Sequence, residues 1–156
     1  MLWLMTDERI GDVRAAVAAL PRGSGVVFRH FSLPKLERRA LFAQVRRIAR
    51  RRQLTMVVEG TDRTLRGDGL HMMRAHDARE LHLARRARAE LVFASPVFAT
   101  RSHPGARTLG VVRLGLMLGA MRSRAVALGG MNATRWKRVR ALELHGWAAI
   151  DGLNPP

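Results

Sequence analysis

Seven short apolar runs recur along the chain, separated by longer stretches of helical period, and this alternation limits the fold more than any other feature. The runs are LWLM (2–5), GVVFRHF (25–31), LTMVVE (54–59), GLHMM (69–73), ELVFAS (90–95), AVALGG (125–130) and GWAAID (146–151). The helical segments between them carry start signals. Ser32 and Pro34 precede a stretch with Leu41, Val45, Ile48 and Ala49 on one face. Asp77 with Glu80 is a capping-box pattern, and Asn132 or Thr134 suits the N-cap of a helix bearing Trp136, Val139 and Leu142. Strands alternating with helices give parallel β-α-β units with right-handed crossovers, and strands apolar on both faces are those a parallel sheet buries. An open doubly wound sheet and a β/α barrel both satisfy this pattern. No G-x-G-x-x-G follows any strand run, and the GGM at 129–131 stands where barrels often hold phosphate.

At 156 residues without a Pro/Gly-rich linker, a single domain spanning 1–156 is expected. The N-terminal MLWLMTDERIGD has no basic leader or cleavage site and reads as a first strand. No apolar run reaches the roughly 20 residues of a membrane span. With no cysteine, thiolate metal sites and a Cys nucleophile are excluded, and a cytoplasmic location is the expectation. The net charge of +16 raises nucleic acid as a partner. Against that, all basic residues but Lys35 and Lys137 are arginines spread along the chain, and no aromatic interleaves with a basic run. The densest run, Arg46 to Arg52, falls on a helix with an apolar opposite face and reads as a solvated surface.

Motif order says more than any one motif. LWLMTD, a strand with a central Arg29, GDGLH, SPVFATRSHPGARTLG, VALGGM and GWAAID follow one another in an order that resembles the thiamine phosphate synthase/TenI family. The resemblance runs over nearly the whole chain and is strongest from Asp77 to Leu153. It implies an α/β fold of the parallel (β/α) TIM-barrel type, shortened around strands four and five. GDGLH runs through Met72, Met73 and Arg74 straight into AHDARE, without the helix and the acidic metal ligand that the family carries there. The implied function is that of a divergent thiamine phosphate synthase. Such an enzyme condenses a hydroxymethylpyrimidine diphosphate with a thiazole phosphate, with Mg²⁺, to give thiamine phosphate and pyrophosphate. The alternative is a non-catalytic or regulatory member that binds a phosphorylated or thiamine-related ligand.

The resemblance also assigns site residues one by one. Arg29 matches a diphosphate-binding arginine, whereas Phe31 stands where the family has a second cation. Glu59 is the acidic group at the third strand's end and the candidate Mg²⁺ ligand. Thr100 and Ser102 supply hydroxyls to diphosphate, with His103 in place of a lysine between Arg101 and Arg107. A histidine there donates to phosphate most strongly when an anion raises its pKa. Gly129 and Gly130 match glycines whose backbone approaches the thiazole phosphate, a closeness that a Cβ would obstruct. Asp151 replaces a serine, and Pro96 replaces the histidine of the tautomerase branch. The remaining histidines show no metal-ligand spacing, and Trp3, Trp136 and Trp147 read as core.

Overall fold

A computed structural model of the chain describes residues 1–60, 62, 64–100 and 105–150. The chain divides into two compact units, Met1–Gly69 and Leu70–Pro156. Among the described residues there are seven strands, one from each apolar run.

In the first unit β1 (Leu2–Met5), α1 (Val13–Ala19), β2 (Gly25–Phe28), α2 (Lys35–Arg52) and β3 (Thr55–Val58) follow in turn. The strands pair in parallel in the order β3-β2-β1, with Leu4 opposite Val26 and Val27 opposite Val57. Every residue of β2 is buried, as expected of a central parallel strand covered on both faces. Gly25 is required because a Cβ there would enter the ring of the fully buried Trp3.

Helix α2 departs from the expected stripe. Its buried residues are Arg38, Phe42, Val45 and Ala49, while Leu41 and Ile48 are only half-buried. The spacing is still helical, but its first member is an arginine, which a search for apolar residues passes over. Pro34 rather than Ser32 holds the N-cap position, and Gln53 closes the helix in the left-handed conformation. Arg46 is half-buried, and Arg47, Arg50 and Arg51 are exposed along the helix surface.

The second unit contains β4 (Met72–Ala75), α3 (Ala78–Arg86), β5 (Leu91–Ala94), α4 (Gly110–Leu118), β6 (Ala125–Ala127), α5 (Ala133–Val139) and β7 (Gly146–Ala149). Its strands are parallel in the order β7-β6-β5-β4. Asp77 caps α3 by accepting from the Glu80 N–H at 2.8 Å. The return bond reaches one residue earlier than in a capping box, Glu80 Oε2 accepting from the His76 N–H at 2.7 Å. Asn132 caps α5, accepting from the Arg135 N–H at 2.8 Å.

The run at 69–73 is displaced: β4 begins at Met72. Asp68 explains what the preceding residues do instead. Its N–H donates to the Met56 carbonyl, and its carboxylate accepts from the Met56 N–H, each at 2.7 Å. The GDG segment thus covers the edge of β3 and is not free to join a strand. Between β3 and β4 the described residues form no helix, so the shortening expected after GDGLH lies before β4, with GDGLH itself outside any strand. No helix among the described residues is long and apolar enough to cross a membrane.

Candidate functional site

Each described candidate lies in the loop that follows the C-terminal end of a strand, the end from which catalytic loops project in parallel β/α folds. In the first unit these ends carry a dense cluster of charge. Arg29 follows β2, Glu59 follows β3 and Asp7 stands two residues beyond β1. The Arg29 guanidinium lies 3.4 Å from Glu59 through Nε and 3.6 Å from Asp7 through Nη1. Its Nε is buried and, despite the nearby Glu59 carboxylate, makes no hydrogen bond, a state shared by the Nε of Arg46 and of Arg52.

Asp7 is held from the other side by Arg9, whose Nε and Nη2 donate to its two oxygens at 2.7 and 3.2 Å. Those hydrogen bonds from Arg9 keep the Asp7 carboxyl below its ordinary pKa, with the Arg29 charge adding to the effect. The Asp62 carboxyl is also lowered, chiefly by hydrogen bonds from Thr64, and lies 4.0 Å from Arg38 and Arg39. Among the described residues no group of three or more His, Asp or Glu side chains is arranged to hold a metal. The carboxylates of Asp7, Glu59 and Asp62 instead face arginines. Among the described residues these carboxylates are therefore engaged by arginines and not converged on one ion position, whereas Mg²⁺ is held by carboxylates directed at the ion with several waters retained.

Arg29 is fixed by its main chain. Its N–H donates to Thr6 Oγ1 at 2.9 Å, and the same hydroxyl lies 3.0 Å from His30 Nδ1. His30 is buried, stacked on Phe28, and adopts a left-handed φ of 41°. Burial lowers its pKa, so it is the neutral imidazole that the fold favours. Phe31, in the place of a family cation, is about half exposed, with the Arg29 and Arg38 guanidinium groups 5.8 and 5.6 Å from its ring centre. Asp7, Thr6, His30 and Arg38 were not singled out as site residues from the sequence. The TD that closes LWLMTD and an arginine within an apolar stripe are the signals that could have found them.

In the second unit, the residues after β5 and β6 form a joined pair of loops. The Val97 N–H donates to Leu128 O at 2.9 Å and the Phe98 N–H to Gly129 O at 3.1 Å. The Ser95–Pro96 peptide is cis. Gly129 and Gly130 have φ of 88° and 60°. A Cβ on Gly129 would lie 2.7 Å from Pro96 Cα, and one on Gly130 would strike the carbonyl oxygens of Phe98 and Ala99. The glycine pair is therefore needed for the two loops to pack, independently of any ligand. Arg135, from α5, donates through Nη1 to the carbonyls of Gly130 and Ala99, and it lies with Arg138 over the Phe98 ring. Thr100 is half-buried in the loop that follows β5. Ser102, His103 and Asp151 lie outside the described residues.

The sequence profile of a family described as thiamine monophosphate synthase matches residues 73–153, which include both joined loops. This chain belongs to that family. Solved structures agree on the fold. A thiamine phosphate pyrophosphorylase from Pyrococcus furiosus superposes with a TM-score of 0.83 at 21% identity, over 96% of this chain and 84% of that one. One from Bacteroides thetaiotaomicron gives a TM-score of 0.62 at 15% identity, over 97% and 83%. A structure described as native KDPGal gives 0.53 at 12% identity, over 99% and 84%. No curated protein sequence matches. The thiamine monophosphate synthase-type fold of this chain is accordingly a parallel β/α fold of the TIM type, shortened after β3.

Proposed function

We propose that the chain is a divergent thiamine phosphate synthase that joins hydroxymethylpyrimidine diphosphate to thiazole phosphate and releases pyrophosphate. The observation that carries this reading is the half-buried Arg29 guanidinium just beyond β2, where the family has a diphosphate contact; it is ion-paired to Glu59 and Asp7, but its buried Nε makes no hydrogen bond. Loss of diphosphate from the pyrimidine leaves an electrophilic carbon that the thiazole nitrogen attacks. Arg29 stabilises the departing oxyanion, and a guanidinium preset by its backbone does so with little reorganisation. Thr100, Ser102 and His103 supply further donors to the diphosphate, and the backbone of Gly129 and Gly130 receives the thiazole phosphate. No step is assigned to Mg²⁺.

One feature favours a second reading, in which the chain binds a phosphorylated or thiamine-related ligand without turning it over. Arg29 is flanked by two carboxylates, and Phe31 replaces a family cation, so less positive charge faces an incoming diphosphate. Titration calorimetry with each phosphorylated half tests the shared premise. Arg29→Gln should weaken the pyrimidine diphosphate at least about tenfold, the loss expected for a charge-assisted hydrogen bond, and leave thiazole phosphate unchanged. Binding of neither half by the unaltered protein would reject both readings.

A further inference from the structure

We propose that Arg38 is a positioning residue that sets the direction of Arg29 and Glu59 without touching the ligand. It comes from the first turn of α2, and its side chain is 8% exposed. Nε and Nη2 both donate to the Arg29 carbonyl, at 3.1 and 2.9 Å, and Nη2 also donates to the Glu59 carbonyl at 3.0 Å. The other backbone group of each residue is tied as well. The Arg29 N–H donates to Thr6 Oγ1 at 2.9 Å, and the Glu59 N–H to Phe28 O at 3.0 Å. Both charged residues are therefore held at N–H and C=O, and Arg38 supplies the second tie in each case.

The guanidinium also lies 5.6 Å from the ring centres of Phe28 and Phe31. Gly60 leaves the space for this, since a Cβ there would come 3.0 Å from Phe31 and 3.5 Å from Arg38 Nη2. A planar fork reaches two carbonyls while lying against two rings, whereas a lysine ammonium has neither the reach nor the flat face. Without it, two carbonyls at the strand ends lose their donor and the turns that carry Arg29 and Glu59 are released.

The functional side of this inference rests on the reading of Arg29 as an oxyanion contact, and two readouts on the full chain keep the two claims apart. The first is affinity for inorganic pyrophosphate. The second is residue-resolved amide hydrogen exchange. Arg38→Lys should weaken pyrophosphate at least about tenfold. It should speed exchange at the Arg29 and Glu59 amides and leave Val26 and Val27, inside β2, at their original rates. Arg38→Ala should regain affinity with added guanidinium ion but not with ammonium. Native pyrophosphate affinity in Arg38→Lys would overturn the proposal, as would uniform acceleration of exchange across residues 1–69. If the unaltered protein binds no pyrophosphate, the reading of Arg29 fails. The exchange pattern then decides the positioning claim alone: local acceleration at Arg29 and Glu59 upholds it, and uniform or absent acceleration overturns it.

Discussion

Gly130 shows how one side chain's absence holds two loops together. Replacing it with alanine combines a φ of 60° with a Cβ driven into the Phe98 and Ala99 carbonyls. A loss of more than about 2 kcal/mol is expected in urea unfolding. Gly69 is the contrast, because its φ is 82° but nothing lies within 4 Å of an added Cβ. Gly69→Ala should cost only about 1–2 kcal/mol, the conformational part alone. Equal losses at the two positions would show that loop packing adds nothing at Gly130. His30 makes a second prediction at this scale. Its pKa is lowered in the folded chain by burial, opposed by Glu8 and Asp7 and aided by Arg38 and Arg29. The unfolded chain therefore takes up a proton near the ordinary value of about 6.5 that the folded chain resists. Stability is complete above that value and falls as pH drops below it. His30→Asn keeps a residue that tolerates the left-handed backbone but removes the titration. Its melting temperature should fall less between about pH 7.5 and pH 5.5 than that of the unaltered protein. The slope should not vanish, since burial lowers the His145 pKa in the same direction.

At the scale of elements, the edge strand β3 depends on Asp68. The outward N–H and C=O of Met56 are both satisfied by that one residue, which blocks this part of the edge from extension by another chain. Asp68→Ala removes the carboxylate bond only, and partial solvent exposure limits the effect to about 1 kcal/mol. Chemical denaturation measures that loss, and light scattering at raised concentration should show more self-association. The same residue accounts for the one strand that the sequence places badly. GLHMM has the composition of a strand from Gly69 onward, but composition does not reveal that the preceding Asp68 is bonded to Met56, a contact between residues 12 apart. The other strands were legible because each is a short apolar run with turn residues on both sides. The stripe of α2 was half legible: Val45 and Ala49 were expected, whereas Arg38 was hidden because a buried arginine resembles a surface one until its carbonyl partners are known.

Across the whole molecule, motif order revealed the family and the fold, since that order survives even where single residues have changed. The candidate site was less legible. Arg29 and Glu59 could be found through the family resemblance, but their mutual approach at 3.4 Å depends on strand register and could not be. The structure also gives the glycine pair a packing cause that the resemblance alone did not suggest. Each unit fixes its strand-end loops with a helix-borne arginine that donates to two carbonyls and lies over phenylalanine, Arg38 in one and Arg135 in the other. Rigid strand ends suit a site that must present donors to an oxyanion. The most direct test of the proposed function supplies the purified protein with hydroxymethylpyrimidine diphosphate, thiazole phosphate and Mg²⁺, and follows thiamine phosphate. Product should form only with both halves present and be lost in Arg29→Ala. Absence of product from the unaltered protein, or undiminished product from Arg29→Ala, would contradict the proposed function.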